Sequence, residues 1–313
     1  MRIGLDVMGG DFAPSATIKG ALIALQELPK DSRIVLIGDE SLIKETLDKE
    51  DADIESFDVI HAPDVIGMGE HPTKAFLKKP KSSISVGFHH LKKESIDGFA
   101  SAGNSGAMLV GSFYTIKSIP GVIRPSLTSI LPKEQGGVGL ILDVGINADC
   151  KPDVLNQFAI LGSLYVEHVY GIKNPKVALL NIGEEEGKGN LLCQSAYNLM
   201  KDSDEFNFIG NVEGRDLFND RADVIVCDGF TGNIVLKQAE AFYVLTKKRG
   251  LKDEYFDRFN YENYGGTPIL GVNGTVVVGH GISNDKAIKN MLLHTAEVIE
   301  AKLSEKIKQA FQE

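Results

Sequence analysis

The chain has 313 residues, 43% of them apolar and 24% charged, with a formal net charge of −10. That size and balance predict a globular protein with a sizeable core, and the acidic excess argues against a nucleic-acid-binding role. No apolar run approaches the ~18 residues that span a bilayer. The chain opens on a strand-like run at residues 2–7, so no signal peptide is expected and a cytoplasmic location follows. Cys150, Cys193 and Cys227 are odd in number and lack metal-ligand spacing. They read as buried thiols in a reducing compartment.

β-branched runs at 3–7, 33–38, 57–60, 138–144, 177–182, 206–209, 223–227 and 275–278 read as strands. Helical patterns occupy 15–27, 41–49, 83–94, 105–117, 153–170, 190–202, 233–247 and 285–311. This alternation predicts an α/β fold, an αβα sandwich around a mostly parallel sheet. The last helix carries Ile288, Leu292, Ala296, Ile299, Leu303, Ile307 and Phe311 on one stripe, expected to pack on the body or on a second subunit. The stretch 247–265 is polar, aromatic and loop-like, and 239–265 reads as a short insert at a cleft or interface. Without a clear linker, residues 1–313 are taken as a single domain with room for two sub-lobes.

One device recurs four times: an apolar run, a turn rich in Gly, Asn, Asp or Ser, then a helix. The turns include Gly9-Gly10-Asp11, Ser101 to Gly106, Gly183 to Asn190, and Asp228 to Asn233. N–H groups at a helix start carry partial positive charge and attract anions, and glycine lets the backbone come close to them. Ligands of such sheets sit at the carboxyl ends of strands, where all four turns fall. A phosphate-sized ligand is therefore expected where they meet.

Several chemistries fail on spacing. No G-x-G-x-x-G follows a strand, so a dinucleotide site is unsupported. Gly183-Glu-Glu-Glu-Gly187-Lys188-Gly189 has three residues between its first glycines where the Walker loop has four, and Gly follows the lysine. Lys188 can still neutralise a phosphate or an oxyanion, or it is a solvated lysine held by its three acidic neighbours. The histidines form no metal-binding pattern. His280, just after a strand and between glycines, is open to a binding or a packing role. No nucleophile elbow surrounds any serine. Ser101, Ser105 and Thr231 read as hydrogen-bond donors or helix caps. Asp6, Asp143 and Asp228 end strands, where a carboxylate can orient backbone, bind a cation or accept a proton.

In this order the motifs resemble the acyl-carrier-protein:phosphate acyltransferases of bacterial phospholipid synthesis. That family's opening, D-A-M-G-G-D-H-A-P, corresponds to Asp6 through Pro14, and its S-A-G-N-T-G-A to Ser101 through Ala107, with Ser105 for Thr. Met68 to Pro72 with Lys81 to Ser83, Leu142 to Asn147, Lys188 to Asn190, Gly210 to Asp216, Asp228 to Asn233, and Asn263 to Gly266 continue the match over nearly the whole chain. Two departures stand out. Phe12 replaces the family's histidine, and the stretch between Gln238 and Tyr261 is shorter than in members with a longer apolar hairpin implicated in membrane contact.

The resemblance implies a fold like the isocitrate/isopropylmalate dehydrogenases and phosphotransacetylases, and a homodimer. It implies transfer of a long-chain acyl group from acyl-carrier protein to inorganic phosphate. The acyl phosphate would pass to a membrane glycerol-3-phosphate acyltransferase, with peripheral contact at the inner face of the cell membrane. No cofactor, no metal and no covalent acyl-enzyme are needed: the thiol leaves readily and phosphate is already a nucleophile.

The expected catalytic residues are Lys188 for the oxyanion, with Asn190 and Asp228. Phosphate and substrate binding falls to Gly9, Gly10, Asp11, Ser101, Gly103, Asn104, Ser105 and Gly106. Asp143, Asn147, Gly229, Thr231, Gly232, Asn233 and His280 join them. Lys74, Lys78, Lys79 and Lys81 are the densest basic patch for an acidic carrier protein. A short-chain, coenzyme-A-dependent phosphotransacetylase and a non-catalytic membrane-recruited scaffold are the competing readings.

Overall fold

A computed structural model of the chain describes residues 1–312 and divides into two compact units. Unit 1 comprises Met1–Ser118 and Tyr261–Ser304; unit 2 comprises Ile119–Asn260 and the residues from Glu305 onward.

The first segment of unit 1 runs β1 (Arg2–Asp6), α1 (Ser15–Leu25), β2 (Arg33–Gly38), α2 (Glu40–Lys49), β3 (Asp58–His61), α3 (Pro72–Lys78), α4 (Ser83–Lys92), β4 (Gly98–Ser101) and α5 (Ser105–Gly111). Unit 2 follows with β5 (Ser126–Pro132), β6 (Val138–Leu142), α6 (Pro152–Tyr170), β7 (Lys176–Leu180), α7 (Leu191–Met200), β8 (Asn207–Val212), β9 (Val224–Val226), α8 (Gly229–Lys248) and α9 (Glu254–Asp257). The chain then returns to unit 1 as β10 (Gly266–Leu270), β11 (Thr275–Gly279) and α10 (Asp285–Glu300), and α11 (Leu303–Ala310) comes last.

In unit 1 the strand order is β3-β2-β1-β4-β11-β10, parallel except for the β10–β11 pair. In unit 2 it is β5-β6-β9-β7-β8, parallel except for β5–β6. The mostly parallel α/β architecture read from the sequence is thus present in each unit. Both antiparallel strands, β5 and β10, escape the sequence reading for the same reason. β5 mixes Ser126, Thr128 and Ser129 with apolar residues and ends on Pro132, and β10 carries Pro268. Proline and polar interruption are signals against a buried strand.

Other corrections are local. The predicted 285–311 helix is two helices, because Lys302 adopts φ +51 and ends the first. α8 begins four residues earlier than its apolar pattern, since Asp228 caps it. α3 was not foreseen. The 247–265 stretch is not all loop: α8 runs to Lys248 and α9 follows. In unit 2 it is fastened by Tyr255 Oη donating to the Pro132 carbonyl at 3.0 Å and by a Phe218–Phe259 ring contact.

The core of unit 1 gathers Ile3, Leu5, Ile18, Leu36, Ile288 and Leu292 from β1, α1, β2 and α10. Its other sheet face is closed by a glycine–phenylalanine stack. Phe88 of α4 meets Phe99 of β4 edge-on at 5.2 Å. A Cβ on Gly111 would stand 2.1 Å from the Phe88 ring, and one on Gly87 2.2 Å from the Phe99 ring. We predict that Gly111→Ala lowers stability by about 1–3 kcal/mol through overpacking, read as a fall in the urea midpoint. Phe88→Leu in the same chain should recover part of the loss; additive losses would exclude this contact as the cause.

Candidate functional site

Unit 1 brings together the loops after β1, β4 and β11. Asp6, at the end of β1, is fully buried and accepts from the Met8 N–H at 3.0 Å and the Ser101 hydroxyl at 2.7 Å. Ser101 Oγ in turn accepts from the Gly103 N–H at 2.9 Å. A Cβ on Gly9 would lie 2.4 Å from Asp6 Oδ2 and 2.7 Å from the Gly103 nitrogen, so only glycine allows the two loops this approach. The Asp11 N–H donates to the Gly281 carbonyl at 2.7 Å, which draws in the loop carrying His280. The His280 ring lies 5.0 Å from that of Tyr261.

Asn104 has a tighter assignment than an anion donor. Its oxygen caps α5 through the Ala107 N–H, and its amide donates to the carbonyls of Gly67, Met68 and Glu70 at 3.0–3.3 Å. It therefore positions the 67–70 loop. Ser105, exposed, and Gly106 form the first turn of α5 above it.

Unit 2 repeats the arrangement around Asp143, at the end of β6. Its Oδ1 accepts the Leu127 N–H at 2.9 Å. Its Oδ2 accepts the N–H groups of Ile146 and Asn147 and the Asn147 side-chain amide, at 2.6–3.1 Å. Asn147 also donates to the Pro125 carbonyl, and its own carbonyl accepts the Gly229 N–H. The start of α8 thus rests on the Asp143 turn, so closely that a Cβ on Gly232 would fall 1.9 Å from the Asp143 carbonyl oxygen. Asp228 caps α8 with both oxygens, accepting the Thr231 N–H and the Thr231 hydroxyl at 2.9 Å. Asn233 is exposed on the first turn, beside Gly145.

The loop between β7 and α7 carries Lys188 and is stapled at three points. Asn181 donates to the Lys188 carbonyl at 3.1 Å, Asn211 to the Glu185 carbonyl at 3.0 Å, and Gln194 to the carbonyls of Gly187 and Gly189 at 3.0 Å. Asn190 caps α7 through the Cys193 N–H. The three glutamates before Lys188 do not share it. Glu184 is taken by Arg221 and Arg215, and the Arg221 hydrogen bond above all holds its carboxyl down to about 2. Glu186 pairs with Lys201. Glu185 stands 3.9 Å from the Lys188 amine with both side chains exposed, too loose and wet a pair to neutralise it.

Beside this loop, at the carboxyl ends of β7 and β9, lies a cavity of about 300 Å³. Leu155, Leu179, Leu180, Ile182, Cys193 and Cys227 form its apolar walls, and Asn181, Asn190, Asp228 and Thr231 are the polar members of its lining. Lys188 itself is not part of the lining; the next residue, Gly189, is. Sequence reasoning missed the cysteines as cavity walls. Burial pushes the Cys193 thiol up and the Cys227 thiol well up, so neither is a ready nucleophile.

A second hollow, of about 440 Å³, lies in unit 1 against Phe12, Ser15, Lys19 and Asn284. Of the expected basic patch, Lys79 is engaged by Glu70 at 2.5 Å and by the Val65 carbonyl, while Lys74, Lys78 and Lys81 are exposed. Among the described residues no group of three or more His, Cys, Asp or Glu is placed to hold a metal ion, and no helix is long and apolar enough to cross a membrane.

The family described as "Fatty acid synthesis protein" matches residues 1–306. A phosphate acyltransferase of Dictyoglomus turgidum is 43% identical over 326 residues, covering 98% of this chain and 96% of the relative. One of Heliobacterium modesticaldum is 45% identical over 313 residues, covering 93% and 92%. Among solved structures, the EutD phosphotransacetylase of Staphylococcus aureus aligns with a TM-score of 0.65 at 18% identity, covering 96% of this chain and 94% of that one. A 4-hydroxythreonine-4-phosphate dehydrogenase of Klebsiella pneumoniae gives 0.58 at 13%, covering 100% and 98%. At such identities the likeness is one of fold, and it agrees with the fold read from the sequence.

The two buried carboxylates differ in what they tolerate. Around Asp143 every hydrogen bond comes from an N–H, so Asp143→Asn sets an amide against a donor and should cost about 1–3 kcal/mol or more. Asp6 is met partly by the Ser83 and Ser101 hydroxyls, which can reverse their role, so Asp6→Asn should cost less. Burial raises Asp6 above its ordinary 3.8, so the folded protein holds a proton that the unfolded chain has released. That stability is full below about pH 3.8 and is lost as pH rises through the raised value. Asp6→Asn should flatten this part of the stability–pH curve in urea titrations; an unchanged slope would exclude Asp6 as its source.

Proposed function

The chain belongs to the phosphate acyltransferase family, and we propose from that premise that it transfers a long-chain acyl group from acyl-carrier protein to inorganic phosphate, forming acyl phosphate and free carrier thiol. The observation that carries the reading is in unit 2. Two capped helix starts, α7 and α8, open side by side on an apolar cavity, with the amine of Lys188 on the same loop and no tight carboxylate partner for it.

In this reading phosphate lies at the start of α8, near the Phe230 N–H and the Asn233 amide, where the helix dipole favours an anion. Loop Ala102 to Gly106 in unit 1 is an anion cradle of the same build. Asp228 takes the proton of hydrogen phosphate. The phosphate oxygen attacks the thioester carbonyl, a C–O bond forms, and the negative charge on the carbonyl oxygen is met by Lys188 and the Asn190 amide. Collapse breaks the C–S bond, and the leaving thiolate takes up the proton held by Asp228 to give the free carrier thiol. Each step needs position and charge stabilisation and no protein nucleophile, in keeping with the raised thiols and with Thr231 committed to Asp228.

Lys74, Lys78 and Lys81 meet the acidic carrier protein. The apolar face that α8 shows at Ile234, Phe242, Val244 and Leu245 suits a second copy of the chain, and the product suits a membrane glycerol-3-phosphate acyltransferase.

Palmitoyl-carrier protein incubated with the enzyme should give product trappable as hydroxamate only when phosphate is present. Free carrier protein released in a burst without phosphate would falsify direct transfer. Lys188→Ala should lower kcat by about 10² or more; turnover within threefold of the parent removes Lys188 from the oxyanion role. Lys74→Glu with Lys78→Glu should raise KM for the carrier protein and leave kcat unchanged, and an unaltered KM locates the carrier elsewhere.

A further inference from the structure

We propose, resting on the acyl-transfer reading above, that the 300 Å³ cavity of unit 2 receives the donor's acyl chain, with Cys193 and Cys227 as its inner wall. Three observations converge on an alkyl occupant. The first is the chemistry of the lining. Leu155, Leu179 and Cys227 are buried, Leu180 and Cys193 are half-buried, and none carries charge. The polar members already have work: Asn181 donates to the Lys188 carbonyl and accepts the Ile182 N–H, Asn190 caps α7, and Asp228 accepts twice from Thr231. Asp228 is the one charged residue of the lining, and its carboxylate is engaged by Thr231, so the rest of the hollow presents no charge to reject a hydrocarbon.

The second is the entrance. Ile182, which lines the cavity, is 82% exposed, and Leu191, next to Asn190, is 83% exposed. They are the most exposed large apolar side chains among the described residues, and they flank the loop that carries Lys188. Apolar side chains left in water around an apolar hollow gain if a hydrocarbon crosses between them.

The third is size. A methylene takes about the room of a water molecule, whose share of liquid volume is about 30 Å³. The cavity therefore holds roughly ten carbons. A chain lying inward leaves its carbonyl at the mouth, where Asn190 and the Lys188 loop stand. Longer chains emerge past Ile182 and Leu191.

The test uses the full chain and needs no catalysis. Alkylation of Cys193 by N-ethylmaleimide is followed by peptide mass spectrometry, with Cys150, which does not line the cavity, as internal control. Decanoate below its micellar concentration should slow Cys193 at least tenfold and leave Cys150 unchanged. Across a series of fatty acids the protection should strengthen by roughly fourfold per methylene and level off near ten carbons. Equal Cys193 rates with and without decanoate, or equal protection by acetate and decanoate, would overturn the assignment. Because this readout is binding alone, it fails separately from the acyl-transfer reading, which the hydroxamate assay decides. In active enzyme, Cys193→Phe should lower kcat/KM for a sixteen-carbon donor at least tenfold relative to a six-carbon one. An unchanged ratio would place the chain elsewhere, and if that variant does not fold, the protection series stands by itself.

Discussion

A buried carboxylate at the end of a strand, met by backbone N–H groups, is the interaction on which each unit's loops depend. Asp143 does this in unit 2. Three of its hydrogen bonds fix the turn at Ile146 and Asn147 and a fourth holds Leu127, the Asn147 carbonyl fixes Gly229, and Gly232 lies against Asp143's own carbonyl. The position of α8 is thus set by contact with a polar group that burial would otherwise penalise. Asp6 holds the loops of unit 1 by the same logic, with serine hydroxyls among its partners. Burial raises both carboxyls and hydrogen bonds oppose it, so these groups act as braces for the loops.

The Lys188 loop shows a complementary way of keeping a charge available. A lysine after three glutamates invites mutual neutralisation. Here Arg215 and Arg221 take Glu184, and Lys201 takes Glu186, while side chains from Asn181, Asn211 and Gln194 hold the loop's carbonyls. The loop's shape is set by neutral amides, two of its three glutamates are drawn to partners elsewhere in the unit, and Glu185 meets Lys188 only loosely at 3.9 Å. The cation at its end keeps its charge exposed to whatever arrives.

Much of this was legible in the sequence because it is local. Buried parallel strands read as continuous apolar runs, and the polar turns before α5, α7 and α8 mark their helix starts, although the capping role of Asn104, Asn190 and Asp228 there was not read from the sequence. The four loops fall at strand carboxyl ends as the pattern requires. What was not legible depends on distant partners. β5 and β10 gain their place from a neighbour strand against the advice of their prolines. Asn104 gains its role from a loop more than thirty residues away, and Lys79 is drawn from the basic patch by Glu70. Cys193 and Cys227 become cavity walls only because β9 and α7 converge. No composition or spacing reveals that Glu184 prefers Arg221 to Lys188.

The state of the cysteines has a chemical consequence for the thioester donor proposed above. Any thiolate near an activated acyl group competes for it, and an acylated cysteine would be a dead end that must be hydrolysed or exchanged away. The attacking species is the thiolate. Burial drives Cys150 up to about 12, Cys193 above its usual value and Cys227 well above. Sulfur can therefore serve as soft, polarizable packing material without becoming a rival acceptor.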